Sequence, residues 1–253
     1  SSDLLATARR LLGEGACVVI CDIDRAALRE AEAALVKSHG RDRVAAFPVD
    51  VTDERTVVAL FGEAALAFGG LDILVSNAGI ASAAPLEETS LELWQRNIDI
   101  LATGYFLVSR EGFRLMKAQA RGGSIVFIAS KNALVASPNA SAYCTAKAAE
   151  IQLARCLALE GAPHGIRANV VNPDAVLRGS RIWEGEWRAQ RAGAYNVAPD
   201  ALDEVYRQRS MLKLNVFPED IAEAVYFFAS DLSAKSTGNI LNVDAGHAPA
   251  FTR

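Results

Sequence analysis

Little in these 253 residues points to metal or disulfide chemistry. There are four cysteines, Cys17, Cys21, Cys144 and Cys156, and none forms a Cys-x-x-Cys pair. Their apolar surroundings read as reduced thiols in a cytoplasmic protein. The three histidines, His39, His164 and His247, carry no ligand spacing, so no metal is expected. No apolar run approaches the length that spans a bilayer, and no membrane partner is expected. Charge of one sign is scarce too: 26 Lys and Arg against 30 Asp and Glu give a net −4, which argues against nucleic acid. There is no repeat, low-complexity tract or linker, so residues 1–253 read as a single domain.

What is present is an alternation. "ACVVICD" (16–22), "RVAAFPVD" (43–50), "LDILVSN" (71–77), "GSIVFIAS" (123–130), "IRANVVNP" (166–173) and "NILNVDAG" (239–246) read as strands. Their apolar residues are continuous rather than in alternation, so both faces are expected to be covered. Between them lie segments with apolar residues at helical spacing, several opening on Asp, Ser or Pro-Glu and closing on Gly. Repeated β-α-β predicts an α/β fold, a doubly wound parallel sheet in three αβα layers. The polar stretch 176–215 is too long for a βα connection and is expected to form a substrate lid beyond a strand's carboxyl end.

The sharpest chemical signal is "SAYCTAKAAE", whose spacing puts Tyr143 and Lys147 on one helix face, one turn apart. Tyrosine titrates near pH 10, too high for a base at neutral pH, and an adjacent ammonium is expected to pull it down. Ser130 ends the strand "GSIVFIAS", where a hydroxyl can hold a substrate oxygen while the phenolate takes its proton. Asn77-Ala78-Gly79 ends another strand, and small residues there let a cofactor approach the backbone. Asp22 and the adjacent Ile23 follow the first strand. A carboxylate at Asp22 suits a ribose diol and repels a 2′-phosphate, favouring NAD over NADP; it could equally cap the next helix, a role also open to Asp24. Asp50 and Val51 are placed for an adenine edge by the same strand-end logic.

Together these residues, with the closing "STGNILNVDAG", resemble the short-chain dehydrogenase/reductase family over about residues 5–246. The resemblance implies a Rossmann-type domain, NAD(P) as cofactor with hydride transfer to or from a carbonyl or alcohol, and a homodimer or homotetramer built on the helices at 89–118 and 141–162; with Asp22, the expected cofactor is NAD. It implies Tyr143 as general acid/base, Lys147 holding the nicotinamide ribose, Ser130 orienting the substrate oxygen, and Pro173 near the nicotinamide. Three departures stand out. The family's first strand and glycine-rich turn are missing from the sequence in hand and are expected in front of it, so strands 16–22 and 71–77 should not pair directly. Leu101 holds the place of a relay asparagine; Asn97, one turn earlier, either substitutes for it or is a helix-surface amide. Pro173-Asp174 replaces Pro-Gly.

Several phrases, among them "SREGFRLMKAQ" and "NVDAGHAPAFTR", resemble the dehydrogenase half of bifunctional rhamnulose-1-phosphate aldolase/alcohol dehydrogenases. That implies an aldolase domain ahead of this one, a place in rhamnose breakdown, and lactaldehyde as substrate. Lys131, Asn132, Asp174, Arg178 and Trp183 are the candidate substrate contacts, and their polarity argues against a steroid or long acyl chain. Arg188 and Arg191 read as a solvated helical face. The competing reading is a non-catalytic or cofactor-sensing scaffold, favoured by the missing turn and Leu101 and opposed by Ser130, Tyr143 and Lys147.

Overall fold

The computed structural model describes residues 2–180, 183 and 186–251. Six strands form: β1 (Val18–Asp22), β2 (Val44–Pro48), β3 (Ile73–Ser76), β4 (Gly123–Ile128), β5 (Ile166–Pro173) and β6 (Ile240–Val243). Each lies within the apolar run that predicted it. All ladders are parallel, in two sets: β1 with β2, and β3–β4–β5–β6 in that order. No ladder joins β1 to β3 among the described residues, in line with the expectation that these two strands do not pair. Residues of both strands border the same cavity.

The largely apolar, non-alternating strands follow from covering on both faces. Ile125 and Phe127 of β4, with Ala168 and Val170 of β5, pack against α3 (Glu54–Phe68), α5 (Gly104–Gln119) and α6 (Ser141–Gly161) through Val57, Phe61, Tyr105 and Ile151. The alternate residues Val126, Ile128 and Val171 pack against Ile221, Val225 and Phe228 of α9 (Pro218–Ala229). Burying each large apolar side chain contributes about 1.5–3 kcal/mol, so neither face could be left to water. On the β1–β2 sheet, α1 (Ser2–Gly13) and α2 (Arg25–His39) share a smaller core around Leu12, Ile20, Leu28 and Leu35. Helix α1 also leans on α9, where Arg10 bonds Glu223 at 2.6 Å and lies 3.8 Å over the Tyr226 ring.

The long helix expected over 89–118 is continuous but not uniform. It runs as α4 (Leu91–Asn97), a π-wound stretch Ile98–Thr103, then α5. A π stretch inside a helix often marks a functional site. At its end, a Cβ on Gly104 would stand 2.9 Å from Val51 Cγ2, so glycine lets the helix press against the loop after β2. The segment 176–215 folds over the strand ends with α7 (Glu186–Ala194) and α8 (Leu202–Arg209), held by Ala192, Leu202 and Tyr206. Positions 181, 182, 184 and 185 of that expected lid lie outside the described residues. Among the described residues no helix is long and apolar enough to cross a membrane.

Candidate active site

The carboxyl ends of β1, β3, β4 and β5 open on a cavity of about 560 Å³. One side is lined by Asp22, Ile23, Asp50, Val51, Asn77, Ala78 and Gly79, the other by Ser130, Lys131, Asn132, Tyr143, Lys147, Pro173, Asp174 and Trp183. Of the candidate catalytic, cofactor and substrate contacts, Arg178 alone falls outside this lining. It points to the first turn of α9, bonding Glu219 at 2.5 Å with its guanidinium 4.5 Å from the Phe217 ring centre.

Ser130 sits where β4 gives way to a short 3₁₀ turn, and its Oγ accepts from the Asn132 N–H at 3.2 Å. It also lies close enough to Tyr143 to favour the ionised form of its hydroxyl. Lys147, one helical turn on, is buried; its Nζ donates to the Ile128 carbonyl and to Glu150 Oε2, both at 3.1 Å. The Tyr105 hydroxyl donates to the same carbonyl at 2.8 Å, and the Tyr105 ring lies 5.2 Å from Nζ. Glu150 is fully buried, and its Oε1, 3.0 Å from Nζ, has no hydrogen-bond partner of its own.

This environment reverses an expectation. Lys147 and Ser130 each pull the Tyr143 hydroxyl down, but burial is the largest influence and the net shift is upward. Glu150 adds to the rise because its carboxylate offsets the ammonium. Burial likewise pushes the Glu150 carboxyl up to about 8 against the attraction of Lys147.

On the other side, the two candidate roles of the strand-end aspartates separate. Asp24 caps α2, accepting from the N–H groups of Ala26 and Ala27 at 2.9 and 3.1 Å. Asp22 is not the cap; its Oδ1 takes the Asp24 N–H at 2.9 Å and its side chain borders the cavity. Asp50 is fixed by the Thr52 N–H at 2.9 Å and hydroxyl at 2.7 Å. These turns hold two carboxylates at strand ends on one wall.

Leu101 is fully buried, and a Cβ on Gly79 would stand 3.3 Å from its Cδ2. Asn97 is no surface amide: it is fully buried, and its Nδ2 donates to Ser82 Oγ and the Leu93 carbonyl, both at 2.8 Å. It therefore ties the loop after β3 to α4. Arg188 is bonded to Asp203 at 3.0 Å at the surface, as expected of a solvated face. Arg191 departs from that expectation, being 5% exposed and bordering the cavity beside Trp187. Glu150 and Trp187 also escaped the sequence reading. Glu150 lay in plain view three residues after Lys147, on the same helix face; nothing local distinguished Trp187.

Residues 5–248 match the family model described as enoyl-(acyl carrier protein) reductase. The chain is 50% identical over 248 residues to an uncharacterized oxidoreductase, YuxG, of Bacillus subtilis strain 168. That match covers 98% of this chain and 36% of the B. subtilis protein, so this chain spans well under half of that relative's length. It is 37% identical over 243 residues to cis-4-hydroxycyclohexanecarboxylate dehydrogenase of Sinomonas cyclohexanicum, covering 96% of this chain and 90% of that one. Among solved structures, sorbitol-6-phosphate 2-dehydrogenase SrlD of Erwinia amylovora matches with a TM-score of 0.90 at 30% identity, over 97% of this chain and 94% of that one.

Proposed function

This chain belongs to the short-chain dehydrogenase/reductase family, and on that premise we propose that it is an NAD-dependent oxidoreductase acting on a small polar alcohol or aldehyde. The observation that carries the reading is that Ser130, Tyr143 and, one turn on, Lys147 all border one cavity whose other wall presents Asp22 and Asp50. The donor set fits a nicotinamide dinucleotide: carboxylates at strand ends for ribose hydroxyls, small residues at 77–79 for close approach, and an ammonium beside the acid/base. When bound, that cofactor supplies the acceptor or donor of the hydride.

The chain's own residues do the rest. The Tyr143 oxygen takes the alcohol proton in oxidation and returns it in reduction. The Ser130 hydroxyl donates to the substrate oxygen and keeps it in line with Tyr143. The Lys147 ammonium stabilises the phenolate and holds a ribose hydroxyl. Asp22 accepts from the ribose diol and repels a 2′-phosphate. Trp187, its ring 6.0 Å from that of Tyr143, and Trp183, 6.1 Å from Trp187, screen the reacting end from water. The non-catalytic scaffold reading is set aside, because Ser130, Tyr143 and Lys147 face one cavity together.

Lactaldehyde, a three-carbon hydroxyaldehyde, suits a cavity end bordered by the polar side chains of Lys131, Asn132 and Asp174. With it go a role in rhamnose breakdown, a cytoplasmic location and a preceding aldolase domain; the length of YuxG beyond its match is in keeping with a further domain. Residues 1–253 act as one domain with its lid at 176–215. The half-exposed Phe106 on α5 and the exposed Leu159 on α6 favour a homodimer or homotetramer through those helices. The test is absorbance of reduced nicotinamide with NAD or NADP and a panel of short diols and hydroxyaldehydes. NAD is expected to be preferred, and Asp22→Ala to weaken NAD and relax exclusion of NADP. NADP preference in the unmutated chain would refute the cofactor reading.

A further inference from the structure

The substrate end of the cavity contains two buried cations that the reaction just described does not use. Lys131 follows Ser130 directly and is 8% exposed, and Arg191 descends from α7 and is 5% exposed; both border the cavity. The carboxylate of Asp174, which borders the same cavity, is already engaged by Arg209, whose Nη2 bonds both of its oxygens. Among the described residues neither Lys131 nor Arg191 has a carboxylate partner. Lys131 Nζ has a long 3.4 Å bond to Ser137 Oγ, and Arg191 Nη1 has a 3.3 Å bond to the Pro138 carbonyl. The Arg191 guanidinium also faces Trp187 and Tyr195, at 5.6 and 5.4 Å, and lies near the Tyr206 hydroxyl. A third donor is idle: Trp187 Nε1 is buried without a hydrogen-bond partner.

Buried charges and buried donors are costly unless something answers them. We propose that Lys131, Arg191 and Trp187 form an oxyanion subsite, and that the substrate or product carries a carboxylate or phosphate a few bonds from the carbon that exchanges hydride. The short reach follows from Trp187 lying 6.0 Å from the Tyr143 ring. The inference rests on reading the Ser130–Tyr143–Lys147 centre as a dehydrogenase site and adds the substrate class. Lys131 also carries the sign of the environment. Burial, Arg209 and Arg191 push it down to about 8, with Asp174 and Cys144 acting the other way, so its charge is present below about pH 8 and lost above.

The test uses the full chain and three matched probes: lactate, glycerol 3-phosphate and uncharged propane-1,2-diol, with binding followed by tryptophan fluorescence. The anions are expected to bind at least about tenfold more tightly than the diol, an advantage that falls with added salt and above pH 8. Lactate ahead of glycerol 3-phosphate marks a carboxylate site, and the reverse order a phosphate site. Arg191→Gln and Lys131→Gln should each remove about tenfold of the anion advantage, while Arg191→Lys retains most of it. Equal affinity for the three probes would overturn the inference, as would anion binding indifferent to both Gln variants. Reduction of nicotinamide by the diol without anion preference would leave the dehydrogenase reading intact and sink this one alone. Anion preference without hydride transfer to either cofactor would do the opposite.

Discussion

Replacing Glu150 by Gln keeps the shape of the side chain and removes a charge that the buried Lys147 shares with Tyr143. Glu150 lies seven residues beyond Tyr143 on α6, about 10 Å along a helix with a rise of 1.5 Å per residue. At an effective dielectric of about 20, a unit charge at that distance is worth about 1.7 kcal/mol, or about one pH unit. In the native protein Glu150 raises Tyr143, so its removal lets Lys147 act unopposed and Tyr143 titrates lower. Alcohol oxidation requires the phenolate, so the rising limb of kcat/KM against pH should move down by about one unit. The same substitution has a thermodynamic signature. A carboxyl pushed up to about 8 from an ordinary 4.5 keeps its proton in the folded state over that window, whereas the unfolded chain releases it. Native stability therefore falls as pH rises from about 4.5 to 8, and Glu150→Gln should flatten that slope in thermal melts. A merely structural glutamate would alter the melts without displacing the kinetic limb. An unmoved limb in a folded Glu150→Gln protein would refute the coupling.

Two further outcomes follow from the same geometry. Tyr143→Phe keeps the ring against Trp187 and removes the proton-transferring oxygen; steady-state turnover should fall by about 10²–10⁴-fold with cofactor affinity little changed, and near-native turnover would rule out the mechanism. Leu101→Asn, which restores the amide found in the family, is expected to cost about 1–3 kcal/mol in denaturant melts because the site is fully buried and packed toward Gly79; a stabilised variant would contradict that packing.

The sequence alone determined the elements whose signals are local. Strands covered on both faces carry apolar residues without strict alternation, and the runs ending at Asp22, Asn77 and Pro173 read that way before any packing was known. Helical periodicity alone placed Tyr143 one turn from Lys147, and strand-end logic brought Ser130, Asp22 and Asp50 to one edge, because a parallel α/β fold gathers its strand carboxyl ends there. What only the tertiary structure decided depends on partners distant in sequence. Arg178 and Arg191 look alike in the polar lid, yet one meets Glu219 in the open and the other is buried over Tyr143's tryptophan neighbour. Asn97 is buried through Ser82, fifteen residues upstream. The direction of the Tyr143 shift was set by burial rather than by the lysine beside it. Periodicity is a property of the backbone and is written in every turn, whereas desolvation and charge pairing belong to the assembled interior, which exists only once segments 15 to 100 residues apart have closed around the same space.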